Sequence, residues 1–176
     1  MLSNRHAALV STALLLLAGV KAESLWAAQP LDPATLLAEI RAVGAYKVAQ
    51  DLSANTRQWN EAMKKISGGS RDWLEVAAQL KAGTDAGDSE TLTESVFLAL
   101  KPAPRTVLRM LKKGQFELQE VCSSVIGNDY QPPESLRIID ERLAALQRVR
   151  EPDLADTKAR CEQGLREALK DLAGTG

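Results

Sequence analysis

The sequence predicts an all-α protein: an array of short antiparallel helices closed by a longer C-terminal helical hairpin. Three observations carry this reading. Ala, Leu, Glu, Lys, Arg and Gln dominate, while Val, Ile and Thr never form an alternating run. Apolar residues recur at three- and four-residue spacing between breaks made by Pro and Gly. Two segments that begin with Trp59 and Trp73 align position for position, with Glu61 on Glu75, Ala62 on Val76 and Ile66 on Leu80.

The first 28 residues read as a secretory leader. Arg5 supplies a positive start, Ala7 to Val20 is apolar apart from small residues, and Ala22, Ala27 and Ala28 offer cleavage positions between 22 and 28. The apolar run falls short of the roughly 20 residues a membrane-spanning helix needs. It has no cysteine near its end for lipid attachment. The expectation is therefore a periplasmic or secreted protein, not membrane-spanning after processing, in which 29–176 form one domain.

Within that domain, 29–126 read as the short-helix stack. Asp32-Pro33 is an N-cap followed by Pro at the first helical position. Val48, Ala49 and Leu52 mark one short helix, the Trp59 segment a second and the Trp73 segment a third. Asn55, Gly69 and Gly83 stand at equivalent positions just beyond them, where a left-handed C-terminal cap wants such residues. Helices this short are unstable alone and must bury an apolar stripe against neighbours. The stack continues through Thr91–Leu100 with Leu92, Val96, Ala99 and Leu100 on one face, through Arg105–Lys112, and through Gln115–Val125 with Phe116, Leu118, Val121 and Cys122. The closing hairpin spans 133–173. Leu136, Ile139, Leu143 and Leu146 mark its first helix, Leu154, Cys161, Leu165, Leu169 and Leu172 its second, and Glu151-Pro152 the turn between them.

From about residue 43 to 125 this layout resembles helical-repeat proteins of the HEAT or armadillo kind, in architecture only and without a family motif. The stretch from Asp72 to Gly87, followed by two cysteines, also resembles uncharacterised exported bacterial α-helical proteins. That resemblance implies a family and no activity.

Charge and composition exclude several functions. The chain has 22 Lys and Arg against 23 Asp and Glu, and loss of Arg5, Lys21 and Glu23 with the leader shifts the balance by a single charge. Such a balance offers no basic footprint for nucleic acid. The one histidine, His6, lies in the leader. The processed chain thus lacks Ser–His and Cys–His pairs and histidine metal ligands, and no cofactor or metal is expected. Cys122 and Cys161 form an even pair in an exported chain and are expected to be disulfide-bonded. Closing a loop of about 40 residues corresponds to roughly 4 kcal/mol in the chain-entropy account.

Four further groups invite a functional reading. Thr93-Glu94-Ser95-Val96-Phe97 resembles the Glu-Ser motif around the catalytic acid of lysozyme-like lytic transglycosylases, which implies Glu94 as general acid on a glycosidic bond. No Gly-Leu-Met-Gln stretch follows, and helical periodicity turns Glu94 sideways or toward solvent. Asp85, Asp88 and Glu90 gather carboxylates without the alternation of a calcium loop, so Asp88 or Ser89 reads better as a helix cap. Trp59 and Trp73 read as core anchors of successive helices in preference to an exposed recognition pair. Arg137, Arg142, Arg148 and Arg150, interspersed with Asp140, Glu141 and Glu151, read as the solvated mixed-charge faces of the hairpin. There is no Ser-x-x-Lys to start a Ser–Lys hydrolase.

The functional expectation is a non-enzymatic exported helical protein that binds another protein or an envelope component. The alternatives are an inhibitor or immunity-type protein against an envelope-directed hydrolase, and a cell-wall glycan-cleaving enzyme acting through Glu94. Processing is directly testable: the intact mass of the exported product should correspond to cleavage between 22 and 28. A product that retains Met1–Val20 would make the apolar run an anchor.

Overall fold

Asp32 begins the first helix as its neighbour Pro33 requires. Its carboxylate accepts from the Thr35 amide at 2.8 Å and the Thr35 hydroxyl at 2.9 Å, and Pro33 fills a position whose amide would have no helical partner. Those two donors hold the Asp32 carboxyl below the usual carboxylate range, the backbone amide contributing most. The structure, a computed structural model, describes residues 30–123 and 132–174; the expected leader and its cleavage sites lie outside them.

From this start follow α1 (Pro33–Val43), α2 (Ala45–Ser53), α3 (Thr56–Ser67), α4 (Arg71–Leu80), α5 (Ala86–Ala99), α6 (Pro104–Lys112), α7 (Leu118–Cys122), α8 (Pro132–Gln147) and α9 (Ala155–Gly174). Short 3-10 turns at Lys81–Gly83 and Pro152–Leu154 follow α4 and precede α9. The described residues contain helices and turns and no strand, as the composition predicts. From Leu31 onward they belong to one compact unit.

The apolar stripes converge on one core. Val48 and Leu52 of α2, Ile66 of α3, Leu74 and Leu80 of α4, and Val107 and Leu108 of α6 all enter it, as do Ile139 and Leu146 of α8 and Leu165 of α9. Both tryptophans are core residues, Trp59 at 7% exposure and Trp73 at 8%. Lys65 of α3 places its ammonium 5.7 Å from the Trp73 ring centre, so the second Trp-headed helix is roofed by a side chain of the first. Several of the largest contacts, however, skip neighbours: α3 packs on α5, α1 on α4, and α7 on α9. In a solenoid each repeat touches only the next. Here contact is not confined to successive helices: α4 packs mainly on α1, and α3 mainly on α5.

The leucines and valines of α5 enter the core as the periodicity predicts, but Thr93, Ser95 and Phe97 are buried as well. A helix covered on nearly all sides is a central helix. Ser95 meets its own polar need by donating to the Thr91 carbonyl at 2.9 Å. Its N-cap is Asp85, whose carboxylate accepts from the Asp88 amide at 3.1 Å, and not Asp88 or Ser89. The helix thus begins one turn earlier than the apolar pattern shows, because its first turn is solvent-facing.

Three turn expectations are corrected. Asn55 does not cap the end of α2; it is the N-cap of α3 and accepts from the Gln58 amide at 3.3 Å. Gly83 is not left-handed but lies in the 3-10 turn, buried against the α2 backbone. A Cβ there would sit 2.3 Å from the Ala45 carbonyl carbon and the Tyr46 nitrogen, so close approach accounts for this glycine. Only Gly69, at φ +73°, plays the left-handed role, and a Cβ there would also strike Ala103 at 2.8 Å. The helix expected over Gln115–Val125 is confined within the described residues to Leu118–Cys122. Gly114 turns left-handed after α6, and Phe116 is buried before the helix restarts.

The buried tryptophans give a stability prediction. Trp59→Ala and Trp73→Ala should each cost about 3–5 kcal/mol, since a large aromatic leaves a cavity that neighbours refill poorly. Against a total of roughly 5–15 kcal/mol, the double variant should be partly or wholly unfolded. Circular-dichroism melts check this, and unchanged melting points would remove both residues from the core.

Candidate functional site

The most polar cluster in the described fold centres on Lys81, in the 3-10 turn after α4. Its ammonium donates to Ser89 Oγ at 2.7 Å, Thr93 Oγ1 at 3.1 Å and Glu120 Oε2 at 3.0 Å. It also lies 5.4 Å from the centre of the Phe116 ring. An ammonium has three hydrogens and no acceptor, and here each hydrogen has an oxygen. The cluster ties the turn after α4 to α5 through Ser89 and Thr93, and to α7 through Glu120. No local spacing announces it, because Glu120 is far along the chain from Lys81.

Beside this hub a cleft of about 610 Å³ opens between α5 and α7, lined by Ser89, Glu90, Thr93, Gln119, Glu120 and Ser123. Glu90 is exposed at the rim, and Glu120 is held by the Lys81 ammonium. Ser123 Oγ is buried and makes no hydrogen bond among the described residues. A buried hydroxyl without a partner forgoes about 1–3 kcal/mol of hydrogen bonding.

The wall carrying Ser123 is fixed from behind. Cys122 and Cys161 are bonded, with sulfurs 2.05 Å apart and Cα atoms 5.0 Å apart, as expected from the sequence. Gly164 lies one helical turn beyond Cys161, where a Cβ would come within 2.8 Å of the Cys122 carbonyl oxygen and of Ser123 Oγ. A glycine inside a helix costs about 1 kcal/mol relative to alanine. At Gly164 that cost permits α7 and α9 to meet backbone against side chain.

A second polar feature corrects the reading of the hairpin surface. Arg142 is not on a solvated face: its side chain is 6% exposed and its guanidinium lies 5.2 Å from the Phe97 ring centre. It donates to the Ile138 carbonyl at 2.9 Å and to the Leu98 carbonyl of α5 at 3.3 Å. At the last turn of α5 the Leu98 carbonyl, which takes the Lys101 amide at 3.4 Å, gains a second, charged donor in Arg142, a cation favoured at a helix C-terminus. Beside it, Glu141 receives Lys101 at 3.0 Å and Arg137 at 2.7 Å. The Lys101 hydrogen bond, ahead of the other charges, holds the Glu141 carboxyl below its usual range. The periodicity of α8 misplaced Arg142 because a guanidinium can be buried when its donors find carbonyls and its plane an aromatic face.

Glu94 is half-buried on α5 and does not line the α5–α7 cleft. Asp85, Asp88 and Glu90 do not converge; among the described residues no cluster of three potential metal ligands occurs. Among the same residues no helix is long and apolar enough to cross a membrane. Compared with known proteins, the chain matches no family model, no curated protein and no solved structure.

The disulfide is predicted to hold the cleft wall as well as the fold. Replacing both cysteines by Ala should cost about 2–4 kcal/mol in denaturant unfolding. Amide exchange should rise first over Gln119–Ser123, since a helix of five residues has no stability of its own. Equal exchange in both proteins would show that packing alone fixes α7.

Proposed function

We propose that the protein is an exported, non-enzymatic binding module of the cell envelope, and that the cleft between α5 and α7 is its recognition surface for another protein or an envelope component. The observation that carries this reading is the cleft itself, walled by the Lys81 hub and by the exposed side chains of Glu90, Gln119 and Glu120. The Lys81 nitrogen is engaged by three neighbouring oxygens and ion-paired with Glu120, an arrangement that ties elements together. What the cleft offers a visitor is hydroxyls, an amide and carboxylates, which can hydrogen-bond to a partner's polar groups.

Catalysis on cell-wall glycan through Glu94 is disfavoured by its position outside the cleft. A glycosidase needs two carboxyl groups across one cleft, with the acid withdrawn into an apolar pocket. The cleft does contain Glu90 and Glu120, but the first is exposed and the second is ion-paired. The disulfide and the leader-like N-terminal sequence support an oxidising, exported setting.

A photo-cross-linking residue at Gln119 tests the assignment in the exported protein. It should trap a specific partner from envelope extract, and the same residue at Lys170 on α9 should not. Purified protein should release no fragments from peptidoglycan, and Glu94→Gln should leave partner capture unchanged. Fragment release abolished by Glu94→Gln would replace the binding reading with an enzymatic one.

A further inference from the structure

The cations of α6 divide into two sets. Arg105 and Lys112 lean toward the hairpin turn and are paired, with Glu151 at 2.7 Å and Asp153 at 3.2 Å. Arg109, one turn after Arg105, makes no ion pair among the described residues, but it lies near enough to Glu151 to help backbone amides and Arg105 hold that carboxyl below its usual range. Lys113 follows it four residues on, just past the end of α6. They line a separate cleft of about 340 Å³ with Arg71 and Glu75 of α4, on a floor that includes Leu74 and Met110. Arg71, Arg109 and Lys113 are all exposed, and none has an ion-pair partner among the described residues. The one carboxylate in the cleft, Glu75, accepts from the Gln79 amide at 3.0 Å. Among the residues that line the cleft, three cations stand against one carboxylate, with Glu151 beyond Arg109 as a further acid, so the cleft stays positive in a chain whose overall charge is −1.

Like charges gathered in a concavity repel one another, and the low-dielectric walls concentrate the field. That cost is offset when an anion occupies the site. Two guanidinium groups with an ammonium suit a tetrahedral, doubly charged oxyanion, since arginine forks match phosphate oxygens in pairs and lysine adds a point charge. Thr106 and Gln115 also line the cleft and add neutral hydrogen-bonding groups. Glu75 would accept from a hydroxyl next to the anion, and it disfavours a bare polyanion laid across the cleft.

We propose that the α4–α6 cleft binds a phosphate ester that carries hydroxyl groups, through Arg71, Arg109 and Lys113. This site is of opposite charge to the α5–α7 cleft and does not depend on the function assigned there. The same chemistry is offered by a free sugar or glycerol phosphate and by the headgroup of an anionic phospholipid.

The test is an amide-resolved NMR titration of the intact processed protein with glycerol 3-phosphate, with inorganic phosphate in parallel. Phosphatidylglycerol vesicles in a sedimentation assay form the second arm. Saturable shifts are expected at Arg71, Glu75, Arg109, Lys113 and Gln115, with glycerol 3-phosphate binding more tightly than inorganic phosphate. Arg109→Gln should weaken binding about tenfold, the loss expected when a charged hydrogen-bonding pair is removed. Lys112→Gln, which removes a cation outside the cleft, should change binding by less than about twofold. All of these side chains are exposed, so melting should be unchanged; Lys113→Gln repeats the measurement should Arg109→Gln misfold. Vesicle binding lost in Arg109→Gln would identify the lipid headgroup as the source, and soluble binding without vesicle binding would identify the free ester. Absence of saturation in both arms, or equal weakening by Lys112→Gln, would overturn the proposal.

Discussion

The contact between α7 and α9 is the constraint on which the cleft depends. Helix α7 has five residues, too few to persist by hydrogen bonding alone. Three features of different kinds hold it: the Cys122–Cys161 bond, the burial of Val121, and the space left by the missing Cβ of Gly164. Remove that space and the bridge would have to span two backbones pushed apart. Because α7 is fixed, Glu120 can reach Lys81. The covalent link is therefore connected through one short helix to the turn that follows α4.

The centre of the fold is built on a related economy of polar groups. Helix α5 is nearly surrounded, yet its polar side chains are placed. Ser95 returns to its own helix, Thr93 receives Lys81, and the terminal Leu98 carbonyl receives Arg142. Buried polar groups cost stability only when unpaired. Pairing these groups lets a helix with a mixed sequence occupy the middle of the domain, where composition alone would place a run of leucines. The two Trp-headed segments find different partners, α3 packing on α5 and α4 on α1.

How much of this was legible in the sequence depended on range. Features set by neighbours within one or two turns were readable. Asp32 and Pro33 start α1 as expected, the stripes of α2, α3 and α4 enter the core, and Trp59 and Trp73 are buried. The cysteine pair was readable from count and setting. Features set by distant residues were not. Lys81 goes unmarked by local spacing because its carboxylate partner lies thirty-nine positions on. Arg142 appears solvated because Phe97 and Leu98 belong to another helix. Gly83 and Asn55 were assigned by analogy with Gly69, and each has a different reason to be there. The site was thus the least legible part, since it is made where three sequence-distant elements meet.

The glycines at 83 and 164 bear on how this fold can diverge. Leucine, isoleucine and methionine exchange in a core at modest cost while volume is kept. No such exchange exists at Gly83, where any Cβ would overlap the α2 backbone, and little at Gly164, where it would meet the α7 carbonyl. Over long descent the apolar residues can therefore drift until pairwise similarity disappears, while two glycines and two cysteines stay fixed by geometry. Such a lineage would be recognised by a sparse pattern of four invariant small residues on a changing helical background, and not by any contiguous motif.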